Sequence, residues 1–395
     1  MASPEDPASR VFPEIEQAFD QVRSLLREIL RQVIPRAQMA KSVSDAFGVH
    51  AKLGWQVFNA AHADSSNLLQ YLPSPHGLEL WLSRAISLGV SEDLARRLKG
   101  AITHLREVTD RHAGDARLFD LLLDANSDIK AEHKWRKQAF DANSFIFGAR
   151  AGALIGVGIL FPSAKAGWFD MVRINGFIDL LRTREDVRWP ISTSVTFKDN
   201  EPTRPSREPL DLSESGAVPV LRDFSSSPLP ILERRVDGET IIDQVAPAVV
   251  GLTGVVSLMT GEILRNVGPI ESDKNEFAHF GLGIRTPAEV VYCDHIVHTS
   301  LFPEVRRELC VYGELASETA HQETDRLKVS DPLVSMGRAV KKLGIDELGQ
   351  YGSLIQMAFE RIGADPSEFV VYRARIKYPP LPASVMIRHP MPLMN

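Results

Sequence analysis

The clearest hydrophobic pattern lies close to the N-terminus. Between residues 12 and 34, apolar side chains recur at spacings of three and four, which predicts an α-helix with one apolar face. The positions of this stripe are Phe12, Ile15, Phe19, Val22, Leu26, Ile29 and Val33. Leu25, Leu30 and Ile34 widen it, and a wide stripe favours packing on a globular core, whereas a narrow seam favours a coiled coil. Both interpretations stay open, and the second predicts a homo-oligomer formed through residues 12–34.

The residues that follow also predict helices and no strands. The predicted segments are residues 39–47, 51–61, 78–88, 91–112 and 115–124. Ser91 places a capping hydroxyl ahead of two carboxylates, Glu92 and Asp93, which favour the positive end of a helix dipole. The prolines at positions 13 and 35 are expected to bracket the first helix. We therefore predict an amphipathic N-terminal helix over residues 1–35 and a helical domain over residues 36–128.

The pattern changes at about residue 129. Strands are predicted at residues 145–147, 154–161, 172–181, 192–197, 279–284, 308–315 and 369–378, and a helix at residues 350–363. A further helix is predicted over residues 286–300, because Thr286 offers a cap and Pro287 suits the first helical position. The predicted fold class is therefore α+β, with an all-helical N-terminal domain and a mixed α/β region over residues 129–395. Residues 199–230 are polar and proline-rich, and they mark where this region would divide if it held two domains.

One short segment, residues 38–59, suggests a function. Val43 and Val57 occupy inward positions of two successive helices, and Ser44 is small, as a close helix crossing demands. Gly48 stands where a tight turn needs positive φ. This pattern resembles the helix-turn-helix of bacterial DNA-binding transcriptional regulators.

Gly54 departs from the pattern of those regulators. Six residues after the turn glycine they usually have a β-branched or apolar residue, whereas this chain has a glycine. A glycine in the interior of a helix costs about 1 kcal/mol relative to alanine.

The resemblance implies that the second helix lies in the major groove of double-stranded DNA. It assigns base contacts to outward-facing residues, which are His50, Lys52, Gln56 and Asn59. Arg36, Lys41 and the basic stretch at residues 130–137 would contact phosphates. The implied function is a DNA-binding transcriptional regulator whose C-terminal region senses a ligand or organises an oligomer.

The charge balance leaves a second hypothesis open. Residues 36–137 hold 14 Lys and Arg against 12 Asp and Glu, and the whole chain has a net charge of −6. A dedicated DNA-binding domain is usually more basic, and the net charge gives no global attraction to nucleic acid. The alternative is a helical interaction or scaffold protein that does not bind nucleic acid.

A third hypothesis is a metal-dependent enzyme. Asp294, His295 and His298 form the densest group of metal-ligating side chains, and on a helix Asp294 and His298 would share a face. A divalent metal usually takes three or four protein ligands, so these residues alone are a weak metal site. The chain contains no phosphate-binding Gly-Lys-Ser loop and no Gly-x-Ser-x-Gly nucleophile elbow. We expect no cofactor.

The remaining composition bears on location. Cys293 and Cys310 are the only cysteines, which excludes a disulfide framework and fits a reducing compartment. The first ten residues lack the apolar core of a signal peptide. The most apolar stretch, residues 149–161, is shorter than the roughly 20 residues that span a bilayer. We therefore expect a cytoplasmic protein without a membrane partner.

Overall fold

The computed structural model describes residues 8–35, 39–62, 68–112, 118, 121, 129–195, 206–212, 218–237, 240–302, 305–313 and 323–394. The chain divides into two compact units, residues 1–131 and 132–395. Helices fill the described part of the first unit, while strands dominate the second, which confirms an α+β protein.

The first unit is built from helices. They are α1 (Ala8–Val33), α2 (Ala40–Phe47), α3 (Ala51–His62), α4 (Leu68–Tyr71), α5 (Pro75–Ser87) and α6 (Glu92–His112). The helices predicted at residues 39–47, 51–61, 78–88 and 91–112 are thereby confirmed to within a few residues. The helix predicted at residues 115–124 falls mainly outside the described residues. None of the helices in the described ranges has the length and apolar character that crossing a bilayer requires.

The apolar stripe of α1 is buried within its own unit. Ile15, Phe19, Val22, Leu26 and Ile29 are each at most 3% exposed, in one core with residues of α2, α3, α5 and α6. The stripe therefore packs in the core of its own unit. An oligomer formed through residues 12–34 would have to make its contacts with other side chains of this segment.

Proline was a poor guide to the start of α1. The helix begins at Ala8 and runs through Pro13, which was expected to mark its beginning. A proline there removes one backbone hydrogen bond. The long buried stripe that follows outweighs that loss.

The second unit contains two helices and thirteen strands in its described residues. The helices are α7 (Ile129–Phe147), which begins at the end of the first unit, and α8 (Tyr351–Ile362). The strands are β1 (Ala149–Pro162), β2 (Trp168–Arg182), β3 (Trp189–Val195), β4 (Ser206–Pro209), β5 (Leu232–Asp237), β6 (Thr240–Val245), β7 (Val256–Pro269), β8 (Phe277–Ile284), β9 (Ala288–His298), β10 (Glu308–Gly313), β11 (Leu333–Gly337), β12 (Phe369–Lys377) and β13 (Ala383–Pro390).

These strands form three sheets. The largest has the order β11-β12-β9-β1-β2-β7-β4, and the others have the orders β10-β13-β8 and β3-β6-β5. In the large sheet β1 pairs parallel with β9 and antiparallel with β2. Residues of α8 form one core with one side of this sheet, and residues of β8, β10 and β13 form another core with strands β1, β9 and β12.

Two sequence predictions are wrong in this unit. Residues 286–300 were predicted to form a helix, but they contain strand β9, which lies in the interior of the large sheet. Its β-branched residues, including Val290, Val291, Ile296 and Val297, are buried on both faces, as suits a strand inside a sheet. Thr286 does not cap a helix, because its hydroxyl accepts a hydrogen bond from Trp189 Nε1 at 2.8 Å.

The second wrong prediction concerns residues 145–147. This aromatic and apolar triplet was predicted as a strand, but it forms the last turn of α7. The helix ends at Gly148, whose φ of 71° is left-handed, and β1 begins at the next residue. The strand pattern belongs only to the residues after Gly148, and the prediction wrongly included residues 145–147, which precede it.

The second unit also buries two histidines around one phenylalanine ring. Phe280 stacks against His295 with ring centroids 4.7 Å apart and against His389 at 5.9 Å. Both imidazoles are at most 1% exposed, and neither ring nitrogen of His295 hydrogen-bonds to a described residue. Burial lowers the pKa of His295 well below its usual value, and the positive charge of Arg307 lowers it further.

This pair predicts acid sensitivity. The pKa of His389 is lowered from 6.5 to about 4, mainly by burial, with smaller contributions from the charges of Arg307 and His279, while its hydrogen bond to the carbonyl of Pro390 opposes the shift. Because the unfolded chain binds this proton more tightly, stability is intact above pH 6.5 and falls as the pH drops towards 4. A full shift of that size corresponds to about 3 kcal/mol.

We expect His389→Phe to flatten the acid limb of urea unfolding between pH 7 and pH 4, relative to the unmodified chain. Phenylalanine keeps an aromatic ring beside Phe280 and Phe302 but cannot take up a proton. Equal losses of unfolding free energy over this range in both proteins would contradict the assignment.

Candidate nucleic-acid interface

Helices α2 and α3 are joined by a turn at residues 48–50. Gly48 ends α2 with φ 60° and ψ 39°, a left-handed conformation that glycine adopts without strain. The N–H of Val49 donates to the carbonyl of Ser44 at 3.1 Å, which closes the helix end. His50 caps the start of α3. Its Nδ1 accepts from the N–H of Lys52 at 3.2 Å, and its carbonyl accepts from the N–H of Leu53.

The crossing of the two helices explains why Gly54 is a glycine. A Cβ at this position would lie 2.7 Å from both the Cβ and the backbone N of Ser44, and 2.8 Å from its Cα. Real Cβ atoms do not approach other atoms so closely, so any side chain would force the helices apart. Position 54 therefore departs from the usual pattern because only a glycine allows α3 to pack this closely against Ser44 on α2.

The inner side of α3 is fixed from several directions. Leu53, Val57, Ala60 and Ala61 are buried in the common core of the unit. From α1, Arg27 Nε donates to the carbonyl of Ala61 at 2.7 Å, which satisfies a carbonyl in the last turn of α3. The axis of α3 is thus held at both ends and along its inner face.

The outer side of α3 carries polar side chains at helical spacing. His50 and Lys52 are exposed, and Gln56 and Asn59 are half-buried. Residues 52, 56 and 59 follow one face of the helix, as the resemblance predicted. The carboxamide of Asn59 is already engaged, since its Nδ2 donates to the carbonyl of Trp55 at 2.8 Å.

Trp55 lies on the same outer face and was missed as a site residue. Its side chain is 48% exposed, which is unusual for tryptophan. Its ring contacts Tyr71 edge to face, with centroids 5.3 Å apart and planes at 82°. The signal was available in the sequence, because position 55 follows Lys52 by three and precedes Asn59 by four.

The residues predicted to contact phosphates differ in their structural environment. Lys41 is exposed on α2, while Arg36 lies outside the described residues. Within residues 130–137, Arg136 is buried and its Nη2 donates to Asp331 Oδ2 at 2.5 Å, so it serves a structural ion pair.

Helices α2 and α3 carry few charged side chains. The segment Ala51–His62 contains no aspartate or glutamate, and Lys52 is its lysine. On α2, Lys41 is accompanied by one carboxylate, Asp45. Negative charge is therefore sparser on these two helices than over residues 36–137 as a whole, which hold 12 Asp and Glu.

The predicted metal site is not assembled. Asp294 and His295 are neighbours on strand β9, so their side chains point to opposite faces of the sheet. His298 lies at the strand end, where its Nδ1 is 2.7 Å from the hydroxyl of Ser300. In the described portion of the chain, no group of three His, Cys, Asp or Glu side chains is placed to hold a metal ion.

Asp294 has a structural partner instead. Arg373 on the neighbouring strand β12 donates two hydrogen bonds to Asp294, from Nε to Oδ1 at 2.7 Å and from Nη2 to Oδ2 at 2.6 Å. The hydroxyl of Tyr351 on α8 donates to Oδ2 at 2.5 Å. Burial raises the pKa of Tyr351 far above its usual value, and the negative charge of Asp294 raises it further. The tyrosine is therefore a neutral donor that helps to neutralise the buried carboxylate.

The outer face of α3 presents polar and cationic side chains outward from a helix whose inner face is packed in the core. The Asp294 cluster is turned inward, with the Asp294 side chain fully buried. Comparisons of the chain with protein-family models, with curated proteins and with solved structures gave no match, so the case for a function rests on its own residues.

Proposed function

We propose that this protein binds double-stranded DNA by placing α3 in the major groove. The observation that carries the proposal is the contact of Gly54 with Ser44, which holds α3 tightly across α2 with a carboxylate-free face outward. Helix α3 has 12 residues and is about 18 Å long, and the major groove is about 12 Å wide, so it admits such a helix.

The side chains on this face suit different parts of the groove. Gln56 can pair with adenine through two hydrogen bonds, and Lys52 can reach guanine or a phosphate. Asn59 would first have to release the carbonyl of Trp55 to offer its Nδ2, which makes Gln56 the stronger adenine reader. His50 is engaged in capping α3, so we assign it to positioning the helix.

Backbone contacts would come from α2. Met39, at its cap position, makes no side-chain hydrogen bond to the helix. The Met39 carbonyl accepts from the N–H of Ser42 at 3.0 Å, so only a side-chain cap is missing. A helix start without a side-chain cap suits a phosphate, and Lys41 lies in that turn.

For the second unit we propose ligand sensing. Its described residues include a groove of about 540 Å³ between α8 and residues 210–212 and 221–224. The apolar lining residues are Leu210, Leu212, Leu221, Phe224 and Met357, and the charged ones are Asp211, Arg222, Asp223, Glu360 and Arg361. A groove of this size and mixed lining suits a small molecule.

The proposal predicts the effect of two substitutions on α3. We expect Gln56→Ala to weaken binding to a selected duplex by roughly 5- to 150-fold, the worth of one bidentate base contact of about 1–3 kcal/mol. Lys52→Ala should weaken binding as well, and if Lys52 contacts phosphate it should lower the salt slope by about one. The measurement is fluorescence anisotropy of the full-length chain on a duplex enriched from a random pool.

A matched control is Lys99→Ala on α6. Lys99 is a half-exposed lysine of the same unit that pairs with Glu79 at 3.5 Å, outside the α2–α3 segment. Its loss should leave affinity within about twofold. If all three variants kept the affinity of the unmodified chain, α3 would not be the DNA-contacting helix.

A further inference from the structure

Trp55 is the one large apolar side chain on the outer face of α3. It projects between Lys52, Gln56 and Asn59, and nearly half of its surface is exposed. The buried apolar residues of α3 lie on the opposite side of the helix. Trp55 is therefore not needed for the core of the unit, and its exposure leaves a flat apolar surface within a polar face.

The ring of Trp55 is held in place. Tyr71 on α4 contacts it edge to face and itself packs against the core of the unit. Below the ring, the backbone is fixed by the Gly54–Ser44 contact, and the Trp55 carbonyl is bonded by Asn59. A side chain that is exposed yet positioned loses little entropy when it binds.

The major groove offers one apolar group to such a ring, the 5-methyl group of thymine. We propose that Trp55 reads thymine by packing its ring on this methyl group; the inference rests on the DNA-binding function proposed above. Gln56 is its neighbour on α3, and the adenine that Gln56 can pair with is itself paired with a thymine whose methyl lies in the same groove. The site recognised should therefore contain at least one A·T pair.

The neighbours of Trp55 favour DNA over an apolar protein surface as the partner. Three polar side chains surround it, one of them a lysine, and α3 contains no carboxylate. An apolar protein surface would leave these polar groups without partners, whereas base edges and phosphates supply them.

The test uses the full-length chain and a duplex enriched from a random pool. Each thymine is replaced in turn by uracil, which removes the methyl group and keeps the base pairing. We expect one or two positions at which uracil weakens binding by about fourfold, the worth of one buried methyl group. Trp55→Ala should bind the thymine duplex more weakly and should no longer distinguish thymine from uracil. Trp55→Phe should keep part of the discrimination.

The outcomes separate the two claims. If the chain binds the enriched duplex and uracil has no effect at any position, or if Trp55→Ala discriminates as strongly as the unmodified chain, the thymine assignment is overturned while DNA binding stands. If no duplex is enriched or bound, the proposed function fails and the thymine assignment fails with it. Circular dichroism and thermal unfolding of each variant establish that it is folded, and the uracil scan on the unmodified chain needs no variant.

Discussion

Replacing Gly54 with alanine should destabilise the helical unit by about 1–3 kcal/mol, the usual cost of forcing an extra methyl group into a packed contact. Helix propensity alone predicts the opposite, because alanine is favoured over glycine by about 1 kcal/mol. The new Cβ would lie 2.7 Å from the backbone N of Ser44, and backbone atoms cannot turn away. Steric overlap therefore outweighs propensity. The same substitution should weaken DNA binding, since α3 would be displaced from α2.

Two further variants sharpen this test. Gly100 lies in an exposed part of α6, and a Cβ there would meet no atom within 4 Å, so Gly100→Ala should stabilise the unit by up to about 1 kcal/mol. Ser44→Gly should not rescue Gly54→Ala, because the clash with the Ser44 backbone remains. Thermal and urea unfolding measure all of these effects. A Gly54→Ala protein as stable as Gly100→Ala would contradict the close crossing.

Asp294→Ala should destabilise the second unit by about 3–5 kcal/mol. The carboxylate side chain is fully buried, and its removal leaves Arg373, whose side chain is 13% exposed, without its charge partner. Burial alone would lower the pKa of Arg373, but the hydrogen bonds and charge of Asp294 raise it. The substitution would therefore leave a desolvated cation and an unbonded Tyr351 hydroxyl in the core.

A surface pair supplies the control for this prediction. Asp141 pairs with Lys137 at 2.9 Å on α7, and both side chains are about half exposed. Asp141→Ala should change the free energy of unfolding by no more than about 0.5 kcal/mol. Comparable losses for Asp141→Ala and Asp294→Ala would mean that the Asp294 pair is solvated rather than buried.

Local periodicity was enough to predict the helical unit. The wide stripe of α1 and the helices from residue 39 to residue 112 carry their apolar residues at helical spacing, and each buries that face. Periodicity could not predict why residue 54 has to be a glycine. A glycine in a helix costs stability in isolation, and only the position of Ser44 on the preceding helix makes it necessary.

The sheet was harder to predict because its defining contacts are distant in sequence. Strand β9 pairs with β1 and β12 along its two edges, and its two faces belong to two different cores, so its apolar residues do not alternate. The Thr286-Pro287 pair before it has the local features of a helix start, so local sequence predicts a helix where the distant partners of β9 form a strand. Asp294 and Arg373 are 79 positions apart in the sequence, and no local sequence pattern predicts that they pair.

The candidate site shows the same division. The resemblance to a helix-turn-helix assigned Lys52, Gln56 and Asn59, and their spacing of four and three residues places them on one face of α3. Tyr71 could not be linked to Trp55, because α4 approaches α3 only in the fold. Spacing indicates that Trp55 lies on the outer face of α3, but only the contact with Tyr71 shows that its ring is held in place.

The most direct test of DNA binding is a salt titration of the full-length chain with mixed-sequence duplex DNA, followed by fluorescence anisotropy. We predict binding at low salt that weakens steeply as salt rises, with a slope of about −0.9 for each phosphate neutralised. Because the chain has a net charge of −6, such binding would have to come from a local surface. Absence of binding at low salt, with the protein folded, would contradict the account and leave α2 and α3 as a packing unit.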